Sequence, residues 1–239
     1  MRVLLLAYHF PPDPAVGSLR AIKVARMLRD AGHEVSVVAG PEARAGHPVW
    51  EEGITVEAVR PWPWLRDGLL KGRAPKMDAA VGEEDAGPEA SRWSQVETGR
   101  GVPRWKRYLY SAMWTPDDRQ GFIPAAIGAA TALDRKRKHD VVYSTAPPFS
   151  ILIAGLVLSR ILRRPWVAEF RDPWTDNPFK AWWLRSRPTD ALEQWLEKRV
   201  LRSADTVVAV TEATGRSFRA KLSGTKAESK VIVVRNGID

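Results

Sequence analysis

Val3-Leu4-Leu5-Leu6-Ala7, a polar and proline-rich turn from Tyr8 to Gly17, a helical stretch from Ser18 to Leu28, and Glu34-Val35-Ser36-Val37-Val38-Ala39 decide the fold. An apolar run without alternation suits a strand covered on both faces, as in a parallel sheet. Ser18 can cap a helix in which Ala21, Ile22, Val24, Ala25 and Leu28 recur at helical spacing. Gly32 ends that helix as its C′ residue. Strand, helix and strand within about 40 residues make a βαβ unit, with a right-handed crossover expected.

Working outward, Ile54–Val59 reads as a third strand. Beyond Pro116 the alternation resumes. Ile123–Lys138 reads as a helix ending in Arg135-Lys136-Arg137-Lys138, cations that suit the C-terminal dipole. Asp140–Ser144 is a strand, and Ser150–Leu162 a helix entered through Pro147 and Pro148. Pro165–Phe170 is a strand. Thr189–Arg202 is a helix with Leu192, Trp195, Leu196 and Val200 on one face. Thr206–Val210, Thr211–Leu222 and Val231–Val234 follow as strand, helix and strand. The pattern predicts a single Rossmann-like, doubly wound parallel α/β sheet of about seven strands.

Residues 60–116 interrupt it as a long insertion. This stretch holds Pro61, Pro63, Pro75 and Pro88 with mixed charge and no lasting apolar period, and a segment of that kind is usually functional or mobile. Val102–Trp114 within it reads as a short amphipathic helix.

The 239 residues suit one large domain or two small ones. A composition of 44% hydrophobic and 27% charged residues excludes collagen, coiled coil and a disordered chain. With no Cys, disulfides and Cys-ligated zinc or iron–sulfur sites are excluded, which fits a reducing compartment. Lys plus Arg number 37 against 28 Asp plus Glu, a net +9 that favours nucleic acid, phosphates or a membrane surface as partner. Met1–Ala7 is too short an apolar run for a signal peptide. Phe149–Leu158, closed by Arg160, falls short of the roughly 20 residues of a membrane span.

In doubly wound sheets ligands bind beyond the carboxyl ends of the strands. The residues there are Tyr8–Ser18, Ser144–Pro148, Arg171–Trp174, Thr211-Glu212 and Arg235–Asp239. The first loop has neither G-x-G-x-x-G nor G-x-x-x-x-G-K-[ST], which disfavours a nicotinamide oxidoreductase and a P-loop enzyme. Gly17 and Ser18 at a helix start, with Arg20 one turn in, can hold a phosphate or carboxylate. Alternatively Gly17 only makes the turn and Ser18 only caps. Asp172 at a strand end can accept from a sugar hydroxyl or take its proton, and Arg171 can pair with phosphate. Alternatively Asp172 makes an Asx-turn before Pro173. His9 is a general base or a loop hydrogen-bonder. His33 is structural, and His47 and His139 suggest nothing. Four His without paired ligand spacing make no metal site.

Several motifs resemble the N-terminal domain of family 4 glycosyltransferases of the GT-B fold. They are Tyr8-His9-Phe10-Pro11-Pro12 with Gly17-Ser18 and Arg20, Gly32-His33-Glu34-Val35, and Tyr143-Ser144-Thr145-Ala146-Pro147-Pro148. Phe170-Arg171-Asp172-Pro173-Trp174 and Val234-Arg235-Asn236-Gly237-Ile238-Asp239 complete them. The Tyr-His-Phe-Pro-Pro and Arg-Asp-Pro-Trp motifs are similar to polysaccharide and O-antigen (lipopolysaccharide) biosynthesis enzymes. The resemblance implies retaining transfer of a sugar from a nucleotide-sugar donor, with no bound metal and no further cofactor. It puts Gly17 near the donor diphosphate and Asp172 on the acceptor side near the reacting carbon; taken with the residue reading above, Asp172 and His9 are the expected catalytic residues, and Gly17, Ser18, Arg20 and Arg171 the expected donor diphosphate contacts. Tyr8, Ser144, Thr145, Pro147, Trp174, Thr211 and Glu212 would line the acceptor. An oxocarbenium-like centre develops as diphosphate leaves, so cations and N–H dipoles at the leaving group lower the barrier. The sequence departs from the family in lacking the C-terminal, donor-binding domain, and in carrying Arg235 where Pro is common.

Trp62 and Trp64 flank Pro63 among Arg60, Arg66, Lys71, Arg73 and Lys76. Trp93, Trp105 and Trp114 accompany Arg92, Arg100, Arg104, Lys106 and Arg107. Such interleaving suits an anionic membrane interface, single-stranded nucleic acid, or core Trp among solvated charges. The membrane reading leads and nucleic acid trails, because the acceptors of the resembled family are often lipid-linked sugars. Residues 60–114 are then expected to face acceptor and membrane. The expectation for residues 1–239 is the acceptor-binding half of a glycosyltransferase, truncated or completed by a partner chain and inactive alone. It would work in the cytoplasm, peripherally on the inner face of the plasma membrane. The rival is a non-catalytic Rossmann-like module that binds membrane or a partner.

Overall fold

The computed structural model describes residues 1–43, 53–63, 108, 111–177 and 186–235. Most of the 60–116 insertion, including Trp64, Trp93 and Trp105, lies outside them, as do His47, Trp182, Trp183 and Asn236–Asp239.

The strands are β1 (Arg2–Ala7), β2 (Glu34–Ala39), β3 (Ile54–Ala58), β4 (Val141–Ala146), β5 (Trp166–Phe170), β6 (Thr206–Ala209) and β7 (Val231–Val233). They form one seven-stranded sheet in the order β3-β2-β1-β4-β5-β6-β7, with every pairing parallel. The expected Rossmann-like, doubly wound sheet is the observed one. The chain leaves β1 toward β3 on one side and returns to β4 on the other. The strand order therefore reverses between β1 and β4, and the crevice above that point is where such sheets bind ligands.

The helices are α1 (Val16–Asp30), α2 (Phe122–Lys136), α3 (Ser150–Leu162), α4 (Arg187–Ser203) and α5 (Glu212–Leu222). The continuous apolar run of β1 is explained by its two faces. Leu4 and Leu6 enter a core with Phe122 of α2, Leu152 of α3 and Phe218 of α5. Leu5 and Ala7 enter a second core with Ala21, Ile22 and Ala25 of α1. Each such Leu, fully buried, contributes about 1.5–3 kcal/mol.

Element limits differ from the sequence reading where caps differ. α1 begins at Val16 rather than Ser18, because Asp13 organises the entry. Its Oδ1 accepts from Ala15 N at 2.9 Å, and Ser18 Oγ donates to the Asp13 carbonyl at 2.7 Å. Gly32 takes the left-handed conformation expected of it, at φ 80°. α4 begins two residues before Thr189, where Ser186 and Thr189 form a capping box with Pro188 in the first turn.

The predicted apolar face of α4 is divided. Val200 is buried and Leu196 half-buried, but Leu192 and Trp195 point outward. Glu193 and Glu197 take the inward positions instead. Glu197 is matched there by Lys221 Nζ at 2.7 Å, so its burial is compensated. Trp114, Trp166 and Trp174 are core residues, whereas Trp62 and Trp195 are exposed.

Candidate functional site at the switch point

Three loops meet at the carboxyl edge, after β1, β4 and β5. Arg171, the first residue past β5, ties them together. Its Nη1 donates to the Gly17 carbonyl at 2.5 Å, its Nε to the Ala146 carbonyl at 3.2 Å, and its Nη2 to the Pro147 carbonyl. Burial holds its pKa below the usual arginine value, while the Glu169 and Asp172 carboxylates act in the opposite direction. A Cβ on Gly17 would meet this guanidinium, so a larger residue there would have to push it off the carbonyls it now holds.

Arg20, one turn into α1, reaches the buried Glu169 of β5. Nη2 lies 2.6 Å and Nε 3.1 Å from Glu169 Oε1. Nη1 and Nη2 also donate to the carbonyls of Arg235 and Val234, each at 3.2 Å. Both guanidiniums are therefore committed to protein oxygens. The geometry has Arg20 and Arg171 bracing the rim of the crevice. Ser18 is buried, with its hydroxyl proton on the Asp13 carbonyl.

His9 stands at the crevice with its side chain 24% exposed, and its Nδ1 is 2.6 Å from Asp13 Oδ2. The carboxylate favours the proton on Nδ1, which leaves Nε2 as the basic nitrogen. Tyr8 packs edge-on against His9 and Phe122, with ring centroids at 5.0 and 5.1 Å. The Arg119 guanidinium lies 5.0 Å above the Tyr8 ring. Burial raises the Tyr8 phenol pKa, partly offset by Arg119. Asp172 is exposed on the rim, next to Arg171.

Not every predicted residue reaches this crevice. Strand alternation turns Ser144 toward α3 with Val142 and Ala146. Ser144 is fully buried, and its Oγ accepts from Trp166 Nε1 at 2.8 Å. It supports the sheet and does not line an acceptor. Trp174 is also core, stacked on Phe149 at 5.0 Å and 5° between planes. Thr145 is buried in register with Glu169, and neither its Oγ1 nor Glu169 Oε2 has a hydrogen-bond partner among the described residues. Pro147 is half-buried at the rim. Thr211 caps α5 by accepting from Thr214 N at 3.1 Å. Thr211 and Glu212 follow β6, two strands from β4, about 10 Å along the edge. Tyr8, His9, Gly17, Ser18, Pro147, Arg171 and Asp172 are thus the predicted residues gathered around the switch point.

Sequence reasoning missed three supporting carboxylates. Asp13 had a local signal, four residues beyond His9. Asp117 had none, since its partner Ser150 is far along the chain. Asp117 accepts from Ser150 N at 2.7 Å and Ser150 Oγ at 2.6 Å, occupying the N-terminus of α3. Burial raises its pKa, and the Ser150 hydrogen bonds oppose that. Glu197 holds Thr175 just past the β5 loop, through Thr175 Oγ1 at 2.7 Å. Among the described residues no group of His, Asp and Glu is placed to hold a metal ion. No described helix is long and apolar enough to cross a membrane.

A parallel Rossmann-like sheet with polar loops gathered above its switch point defines a ligand-binding α/β domain. The chain belongs to the glycosyl transferase 4-like domain family, whose profile matches residues 19–237. Its fold is shared with Anabaena HepE, crystallised with UDP and glucose, at TM-score 0.53 and 17% identity over 100% of this chain and 45% of that one. It is also shared with sucrose-phosphate synthase from Thermosynechococcus elongatus, at TM-score 0.56 and 14% identity over 100% of this chain and 49% of that one. The chain spans about half the length of these structures. No curated protein sequence matches it.

Proposed function

We propose that this chain holds the acceptor in a retaining, metal-independent transfer of a sugar from a nucleotide-sugar donor. The observation that carries the reading is the placement of His9, oriented by Asp13, in the loop after β1 and of the exposed Asp172 in the loop after β5, two loops of a glycosyl transferase 4-like domain that Arg171 ties together through the Gly17 carbonyl. Asp172 accepts a hydrogen bond from a neighbouring hydroxyl of the acceptor and so orients the attacking one. The attacking oxygen bonds to the anomeric carbon on the same face from which the diphosphate departs, as the bond from this carbon to the diphosphate breaks, so configuration is retained and the nucleoside diphosphate leaves with the electron pair. His9 Nε2 takes the hydroxyl proton and later returns it to water. The start of α1 faces the leaving diphosphate, where its N–H dipoles favour negative charge. The nucleotide is held by a second domain, in the same polypeptide or a partner chain. The acceptor is a saccharide, lipid-linked in polysaccharide or lipopolysaccharide assembly. The protein then works peripherally on the inner, anionic face of the plasma membrane, which its net +9 favours.

A nucleoside-diphosphate release assay with UDP-, dTDP- and GDP-sugars tests this. The chain alone is expected to release none, and release should begin when a donor-binding domain is supplied. In that assembly Asp172→Asn should slow transfer by about 100-fold or more. Turnover by the chain alone would overturn the half-site reading. Undiminished turnover in Asp172→Asn would overturn its role. Vesicle or partner binding with no turnover in any assembly would favour a non-catalytic module.

A further inference from the structure

The outer face of α4 separates charge in an unusual way. Its two central acids, Glu193 and Glu197, are buried, and Glu197 is held by Lys221 and Thr175. Its exposed charges at Arg187, Lys198, Arg199 and Arg202 are all cationic. None of these four makes an ion pair with another described residue. Between them Trp195 is 61% and Leu192 47% exposed. Leu192, Trp195, Arg199 and Arg202 recur every three or four residues, so they share one side of the helix.

We infer that this face of α4 is a docking surface for an anionic lipid bilayer. The inference rests on the membrane part of the reading above and gives it a specific place, away from residues 60–114. A Trp ring beside an aliphatic side chain, bordered by Arg and Lys, is the composition that settles at the headgroup boundary. The cations meet anionic headgroups while Trp195 and Leu192 enter the interface. A second copy of the chain is the poorer occupant, because its own α4 would bring like charges together. Nucleic acid gives Leu192 nothing to bury against.

Co-sedimentation with phosphatidylcholine vesicles, with and without phosphatidylglycerol, tests the assignment on the full chain. The chain should bind the mixed vesicles and release them as salt rises. Leu192→Ser with Trp195→Ser should weaken binding about tenfold. Lys198→Gln with Arg199→Gln should weaken it by roughly fivefold per cation removed. All four side chains are exposed, so thermal unfolding should barely move, and the charge pair reports on the same face should the apolar pair fold poorly. Full vesicle binding by both variants would overturn the α4 assignment while leaving the membrane reading standing. Failure of the unaltered chain to bind anionic vesicles would overturn both. A change of oligomeric mass in either variant, with vesicle binding intact, would assign the face to self-association and overturn the proposal.

Discussion

Arg171 Nη1 lies 2.5 Å from the carbonyl oxygen of Gly17, joining the residue after β5 to the first turn of α1. Through the same guanidinium the loop after β4 is fixed at Ala146 and Pro147. One side chain thus sets the relative positions of three loops that surround the proposed reaction. A site held this way is organised before substrate arrives, which is what orientation-dependent chemistry requires.

Gly17→Ala gives a test by sign. In an ordinary helix Ala is favoured over Gly by about 0.8–1 kcal/mol. Here the added methyl meets the Arg171 guanidinium. The substitution should therefore destabilise, by about 1–3 kcal/mol, as overpacking does. Urea unfolding of the two proteins decides it, and a stabilised variant would contradict the packing described.

Arg20→Ala should be more costly. It leaves Glu169, fully buried, without the cation that now lies 2.6 Å away. Breaking a buried pair on one side costs about 3–5 kcal/mol. Adding Glu169→Leu should recover much of that loss, since the orphaned charge is gone. Equal stability of the single and double variants would show that burial of Glu169 is not the source of the cost.

The His9 tautomer is measurable directly. Asp13 Oδ2, 2.6 Å from Nδ1, should hold the proton on that nitrogen of the neutral ring. Nitrogen-15 spectra of the imidazole in alkaline buffer should show a protonated Nδ1 in the unaltered chain. Asp13→Ala should lose this preference. The same spectrum from both proteins would remove Asp13 as the orienting group.

Acid should act through His139 and Asp134. Burial pushes the His139 imidazole below 6.5, with Asp134 opposing. The unfolded chain then binds a proton that the folded chain refuses, so stability present above about pH 7 declines as pH falls through 6.5 and below. Burial would raise Asp134, but hydrogen bonds from the His139 amide, Lys138 and the His139 ring hold it below 3.8. Its contribution is lost in turn as pH drops below 3.8. Asp117, raised by burial, works in the opposite sense and gains as pH falls. Denaturation midpoints at about pH 5 and 7 should differ more for the unaltered chain than for His139→Asn. A shift of equal size in both would exclude His139 as the source.

The sheet was legible because β1, β4 and β5 need apolar side chains on both faces, and uninterrupted runs such as Val3–Ala7 record that need. The edge loops were legible for a related reason: polar residues follow each run. The aim of individual side chains was not. Ser144 belongs to a promising motif, yet strand alternation turns it into the core against Trp166. Arg20 and Arg171 have the charge for phosphate, but only the fold reveals that Glu169 and a set of carbonyls already hold them. On α4 helical spacing grouped Leu192 and Trp195 with Val200, and the buried pair of Glu197 with Lys221 reversed that grouping. Long-range partners decided each case, and no local pattern carries them.

In the proposed reaction the acceptor binds above the switch point between β1 and β4. Amide shift mapping, with a lipid-linked monosaccharide added to the isotope-labelled chain in detergent micelles, tests it most directly. Perturbed amides should be confined to 8–18, 145–149 and 171–175, with empty micelles as the reference. Perturbations at the opposite, amino ends of the strands, or none beyond those of empty micelles, would contradict it.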